Sequence, residues 1–173
     1  NEEIVTATEN GVRRQTYKET RDRAHQLAHA LADAGIAVGD RVGTFMWNGS
    51  RHLEAYQACA GMGAVLHTLN IRLSEKDLEY IINHAEDQII IVDADILPLL
   101  EKLEGKMPTV RQVVIATEEG FEGWSTQLPN AVDYEDFIKD KPTHYEWPDI
   151  DENSPLGLCS VSYTHLRAHE TSP

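Results

Sequence analysis

Ile89-Ile90-Ile91-Val92 is the stretch whose reading decides the fold. A half-buried strand alternates apolar and polar residues. This run is unbroken, which suits a parallel strand covered on both faces. On its amino side, Ser74 is placed to cap a helix carrying Leu78, Ile81, Ile82 and Ala85. Before that helix, Ala64 to Leu69 reads as a second buried strand. Asn48-Gly49-Ser50 opens an earlier helix through Leu53, Tyr56, Gln57 and Ala60, and Gly61 and Gly63 close it. Arg41 to Trp47, after a Gly39-Asp40 turn, is a further strand.

On the carboxyl side, a short helix is expected over 96–103, with Pro98 in its first turn, and then a strand from Gln112 to Ala116. Residues 118–133 read as a surface loop and Tyr134 to Lys139 as a short helix. Residues 140–155, rich in proline and acids, read as a linker to a last apolar piece, Leu156 to Cys159. At the amino end, Glu3–Thr8 and Val12–Tyr17 flank the turn residues Glu9-Asn10-Gly11 and predict a hairpin. Thr16 and Glu19 fit a capping box. Ala24, Leu27, Ala28 and Leu31 then stripe one helix face, and Gly35 stops it. Strands alternating with helices imply βαβ units. The expected fold class is α/β: an incomplete N-terminal subdomain with a mostly parallel sheet flanked by helices, preceded by a β-hairpin.

The chain has 173 residues, 41% hydrophobic and 25% charged, an ordinary globular composition. Its formal net charge is −14. No basic stripe is present to neutralise phosphates, so nucleic-acid binding is not expected. Acidity also disfavours anionic membrane surfaces. No apolar run approaches the roughly 20 residues of a membrane span. Cys59 and Cys159 lie in apolar surroundings without metal spacing, so buried reduced thiols and a cytoplasmic location are expected. The start, Asn1-Glu2-Glu3, has neither an initiator Met nor a signal pattern, and is expected to be truncated.

Several ordered elements resemble adenylate-forming enzymes. Gly39-Asp40-Arg41-Val42 followed by Trp47-Asn48 is one, and Thr16-Tyr17-Lys18-Glu19 is another. Arg51 to Tyr56, Gly61 to Ser74 and Tyr80 to Asp87 are similar to the medium- and long-chain fatty acyl-CoA ligase branch. The resemblance covers about residues 4–160. It implies a parent enzyme that makes an acyl-adenylate from a carboxylic acid, such as a fatty acid, and Mg2+-ATP, then passes the acyl group to CoA. It also allows a homodimer. Two alternatives remain open: another adenylate-forming enzyme (a carrier-protein adenylation domain or an adenylating oxygenase), or a non-catalytic α/β module binding CoA or a nucleotide.

The family continues past this point into a Gly/Ser/Thr-rich phosphate loop. Asp151 to Cys159 looks like the strand leading into it, but Ser160 is followed by a different string. Val161 to Thr171 reads as a translated transposon-based sequencing adapter. Residues 1–160 are therefore expected to be the N-terminal part of an AMP-binding domain, cut before the phosphate loop, and 161–173 not to be native. His165, His169 and Ser162 then carry no metal or nucleophilic chemistry. His25 and His29, four apart, are expected on a solvated helix face. His52, His67 and His84 have no acidic or cysteine partners at motif spacing and are expected to be structural. Gly61-Met62-Gly63 follows a helix and precedes a strand, so it is no dinucleotide fingerprint.

No catalytic residue and no metal ligand is assigned. The one local candidate is Asn70-Ile71-Arg72, at the carboxyl end of a probable strand, where open α/β sheets bind ligands. The resemblance implies proximity to the CoA adenine, with Arg72 near a phosphate. ATP, Mg2+ and CoA belong to the parent, and none is expected to bind this piece tightly. A parallel sheet with only part of its strands leaves an apolar edge open, so aggregation is expected.

Overall fold

A computed structural model describes residues 3–8, 11–117 and 123–160. Glu3–Thr8 (β1) and Gly11–Thr16 (β2) pair antiparallel, with Glu3 opposite Thr16 and Thr8 opposite Gly11. The turn residues Glu9 and Asn10 lie outside the described residues. Tyr17–Asp33 (α1) starts on the expected capping box. The Glu19 amide donates to Thr16 Oγ1 at 3.2 Å, and the Thr16 amide donates to the Glu19 carboxylate at 2.7 Å. Ala24, Leu27, Ala28 and Leu31 are all buried, and Gly35 takes φ 83° after the last turn.

The chain then alternates as expected: Arg41–Phe45 (β3), Ser50–Met62 (α2), Val65–Thr68 (β4), Glu75–Ala85 (α3), Ile89–Asp93 (β5), Leu97–Glu101 (α4) and Gln112–Ala116 (β6). Val132–Asp133 (β7), Tyr134–Ile138 (α5) and Gly157–Cys159 (β8) follow. One six-stranded sheet has the order β7-β6-β5-β3-β4-β8, and every neighbouring pair is parallel.

The isoleucine run explains itself in this frame. Ile89 and Ile91 pack on one face with α1, α2 and α5, through Leu27, Leu31, Ala55, Ala58 and Tyr134. Ile90 and Val92 pack on the other face with α3 and α4, through Leu78, Ile82, Leu97 and Leu100. All four side chains are fully buried. Each contributes about 1.5–3 kcal/mol over an exposed position.

Four sequence expectations are corrected. Residues 132–133 are not loop: Val132 pairs with Val114 at the sheet edge. Two residues carry no periodicity to read. Gly61 lies inside α2, and only Gly63, at φ 80°, caps it. A Cβ at Gly61 would stand 2.7 Å from the Trp147 ring. Residues 144–147 are therefore not a bare linker but a strap laid over α1 and α2. Cys59 is buried, and burial pushes its thiol up to about 12, whereas Cys159 is exposed on edge strand β8. Leu156 and Leu158 beside it are also exposed, the open edge the sequence anticipates.

One polar network ties the first helical layer together. Glu54, fully buried on α2, accepts from Gln15 Nε2 at 2.8 Å, Arg23 Nε at 2.8 Å and the Tyr134 hydroxyl at 2.7 Å. Arg23 also grips both Glu135 oxygens at 2.8 and 2.9 Å, and Arg51 Nε donates to Glu135 at 3.1 Å. One carboxylate thus joins β2, α1, α2 and α5. Removing it strands two buried donors, Gln15 Nε2 and the Tyr134 hydroxyl, at about 1–3 kcal/mol each, and takes one of Arg23's two carboxylates. Glu54→Ala is expected to lower unfolding free energy by about 3 kcal/mol, read as a fall in the urea midpoint by circular dichroism. Glu54→Gln, which keeps the shape, is expected to cost less.

Candidate functional site

The carboxyl ends of the parallel strands define the face where such sheets bind ligands. The predicted candidate sits there. β4 ends at Thr68, and Asn70 then folds back as an Asx turn, its side-chain oxygen accepting from the Arg72 amide at 2.9 Å. The Leu73 amide donates to the Asn70 carbonyl at 3.1 Å. Ile71 packs against the α3 side of the core, and Asn70 and Arg72 are exposed. The Arg72 guanidinium has no ion-pair partner among the described residues. Ser74 caps α3 by accepting from the Asp77 amide at 3.2 Å. The segment is thus a shaped turn that carries one open cation.

The chain runs from β3 to β4 on one side, then to β5 on the other, so β3 and β5 flank a topological switch point. At their carboxyl ends, Asp93 Oδ2 accepts from the Trp47 amide at 2.7 Å and Asp95 Oδ2 from the indole N–H at 2.8 Å. Trp47 is half exposed. Two carboxylates make this crevice a poor seat for a bare phosphate. Sequence reading missed it because Trp47 and Asp93 are 46 residues apart.

The histidine expectations change most. His67 is fully buried on β4 and does have an acidic partner. Its Nδ1 lies 2.8 and 3.0 Å from the oxygens of Asp87, also fully buried, and its Nε2 lies 2.8 Å from Ser160 Oγ. Burial pushes the Asp87 carboxyl up, and the His67 bond pulls it back. His52 bonds Thr44 at 3.0 Å, and His84 stacks on Tyr80. The one available sequence signal for His67 was a polar residue inside a buried strand, which demands a partner.

His25 is buried rather than solvated, and His29 is partly covered. Both lie under the strap: His25 Nδ1 accepts from the Tyr145 amide at 2.8 Å, and His29 Nε2 meets the His144 carbonyl at 2.8 Å. Rings of Tyr145 and Trp147 cover them at 4.8 and 4.7 Å. Among the described residues, no group of three or more His, Cys, Asp and Glu side chains could hold a metal ion. His165, His169 and Ser162 lie outside the described residues.

The AMP-binding enzyme family model matches residues 2–164. The chain belongs to the AMP-binding enzyme family. It is 40% identical to a medium-chain-fatty-acid–CoA ligase of Ectopseudomonas oleovorans over 94% of its own length and 30% of the relative's. It is 48% identical to a long-chain-fatty-acid–CoA ligase of Thermus thermophilus over 70% of its length and 23% of the relative's. The chain therefore spans less than a third of these curated relatives. A coronafacic acid ligase of Pectobacterium brasiliense shares the fold, with a TM-score of 0.76 at 20% identity over 92% of this chain and 30% of that one. No helix among the described residues is long and apolar enough to cross a membrane.

The strap is expected to bring a pH dependence to this member of the AMP-binding enzyme family. Tyr145 can donate only to an unprotonated His25 Nδ1. Burial, then the neighbouring His144, Arg21 and His29, lower the His25 pKa from its ordinary 6.5, opposed by Asp22. The unfolded chain therefore binds this proton more readily than the folded one. Stability from the strap is present above about pH 6.5 and falls as pH drops below it. Tryptophan fluorescence and limited proteolysis at residues 140–150 are expected to report undocking on acidification. His25→Phe is expected to flatten that response.

Proposed function

We propose that residues 1–160 belong to an ATP-dependent fatty acid–CoA ligase. The observation that carries this reading is the 40% identity to a medium-chain ligase sustained over 94% of the chain. The 48% identity to a long-chain ligase supports the same acid class. In such a ligase the acid's carboxylate oxygen attacks the α-phosphorus of ATP, and pyrophosphate leaves. The thiol of CoA then attacks the acyl carbonyl, and AMP leaves. Adenylation is needed because a carboxylate is a poor electrophile, and two easier steps replace one hard one.

Among the described residues no group of three or more His, Cys, Asp and Glu side chains could hold magnesium. In this reading β8 leads toward the phosphate-binding loop, and the adenylating machinery belongs to the more than two-thirds of the relatives' length that the chain does not span. The 173-residue chain alone is then inactive. The exposed Asn70-Ile71-Arg72 turn serves CoA, with the Arg72 cation beside a phosphate of its nucleotide end, in keeping with an open guanidinium at a strand's carboxyl end. The carboxylates beside Trp47 favour placing a phosphate at Arg72 over the switch point.

Three measurements test this. The 173-residue chain is expected to give no ATP–pyrophosphate exchange with octanoate or palmitate, and robust exchange would refute its inactivity. The complete ligase, with these residues running into a native phosphate loop, is expected to release AMP and form acyl-CoA. Arg72→Ala in it is expected to raise the KM for CoA about fivefold, the effect of about 1 kcal/mol from one exposed charge contact. The KM for ATP is expected to hold. A CoA KM unmoved by this change would remove Arg72 from the site.

A further inference from the structure

His67 and Asp87 are costly residues for the place they occupy. Both are fully buried in a sheet and helix layer that is otherwise apolar. Burying an ionised carboxylate costs several kcal/mol unless its bonds are excellent. An apolar pair of similar volume would pack without that cost. The surrounding residues also make room for the pair. On β3, directly beside His67 in the parallel register, stands Gly43, where a Cβ would lie 3.2 Å from Asp87 Oδ2.

The pair has a direction. Asp87 is 2.8 and 3.0 Å from His67 Nδ1, so an ionised Asp87 accepts and Nδ1 carries the proton. In the neutral ring Nε2 is then the acceptor, facing the Ser160 hydroxyl across 2.8 Å. The target is a particular place in the chain. The β4–β8 ladder ends at Thr68 opposite Cys159. Position 160 is the first residue past it, at the carboxyl end of a parallel strand. There the ladder no longer fixes the backbone, and the side-chain bond to His67 holds it instead.

We propose that His67 and Asp87 form a positioning pair that fixes the carboxyl end of β8 through Ser160, and that nucleotide binding by the complete ligase depends on that end being held. This rests on the ligase reading above and adds a role for two buried residues. Neither touches the nucleotide. A displacement of about 1 Å at such a junction can cost on the order of a hundredfold in a reaction.

The test separates the two ring nitrogens in the complete ligase. His67→Asn keeps a donor near Nδ1 for Asp87 and loses the acceptor at Nε2. His67→Gln extends an amide to the Nε2 position. His67→Asn is expected to raise the KM for ATP about tenfold, with the KM for the fatty acid within about twofold and the melting temperature little changed. His67→Gln is expected to recover most of the ATP KM. An ATP KM unmoved by His67→Asn, or both KM values rising together with a fall in melting temperature, would overturn the pair's positioning role while leaving the ligase reading intact. A complete wild-type ligase that does not adenylate any fatty acid would overturn that reading and this inference together. Covalent capture of Ser160 by a fluorophosphonate would also overturn the inference, by making that residue a nucleophile rather than an anchored donor.

Discussion

The structure depends on a sheet that must be buried on both faces. β5 sits inside it, with β3 on one side and β6 on the other. Its side chains at 89 and 91 need one helical layer, and those at 90 and 92 need another. Nothing about β5 is stable in water without both layers. The alternation of strand and helix along the chain follows from this, because each crossover delivers a helix to one face. The same constraint leaves β8 as the weak margin. It pairs with β4, while Leu156 and Leu158 remain exposed.

Two of the buried polar networks among the described residues join separate elements, and each closes a distance that apolar packing leaves loose. Glu54 holds α1, α2, α5 and the hairpin strand β2 to one carboxylate, with Arg23 and Arg51 flanking the Tyr134 ring at 5.6 and 5.9 Å. Asp87 holds His67, and through it the end of β8. Apolar contacts are non-directional and tolerate sliding, whereas a buried hydrogen bond holds only near one geometry. Both networks sit where one element must keep its angle to another.

The candidate chemistry is gathered on a single side of the sheet. The Asn70–Arg72 turn follows β4, Trp47 meets Asp93 at the ends of β3 and β5, and position 160 follows β8. These segments are far apart in sequence and adjacent only because the strands run parallel in the order β5-β3-β4-β8. A parallel sheet puts every carboxyl end on one side, so loops from separate crossovers share one surface.

The sequence by itself determined the local structure. Thr16 and Glu19 carry a complete capping box in four residues, Ser74 reaches only to Asp77, and the isoleucine run announces two-sided burial without any partner in view. Motif order, from Gly39-Asp40-Arg41-Val42 to Asp87, was equally legible because it is linear information. Only the tertiary structure decided which distant residues meet. His67 and Asp87 are separated by the whole of α3, His25 meets Tyr145 across 120 residues, and Gly61 matters because Trp147 lands on it. Periodicity and capping act over one or two turns of chain. A hydrogen bond between side chains brought together by folding leaves no trace at either position except a polar residue where an apolar one was expected.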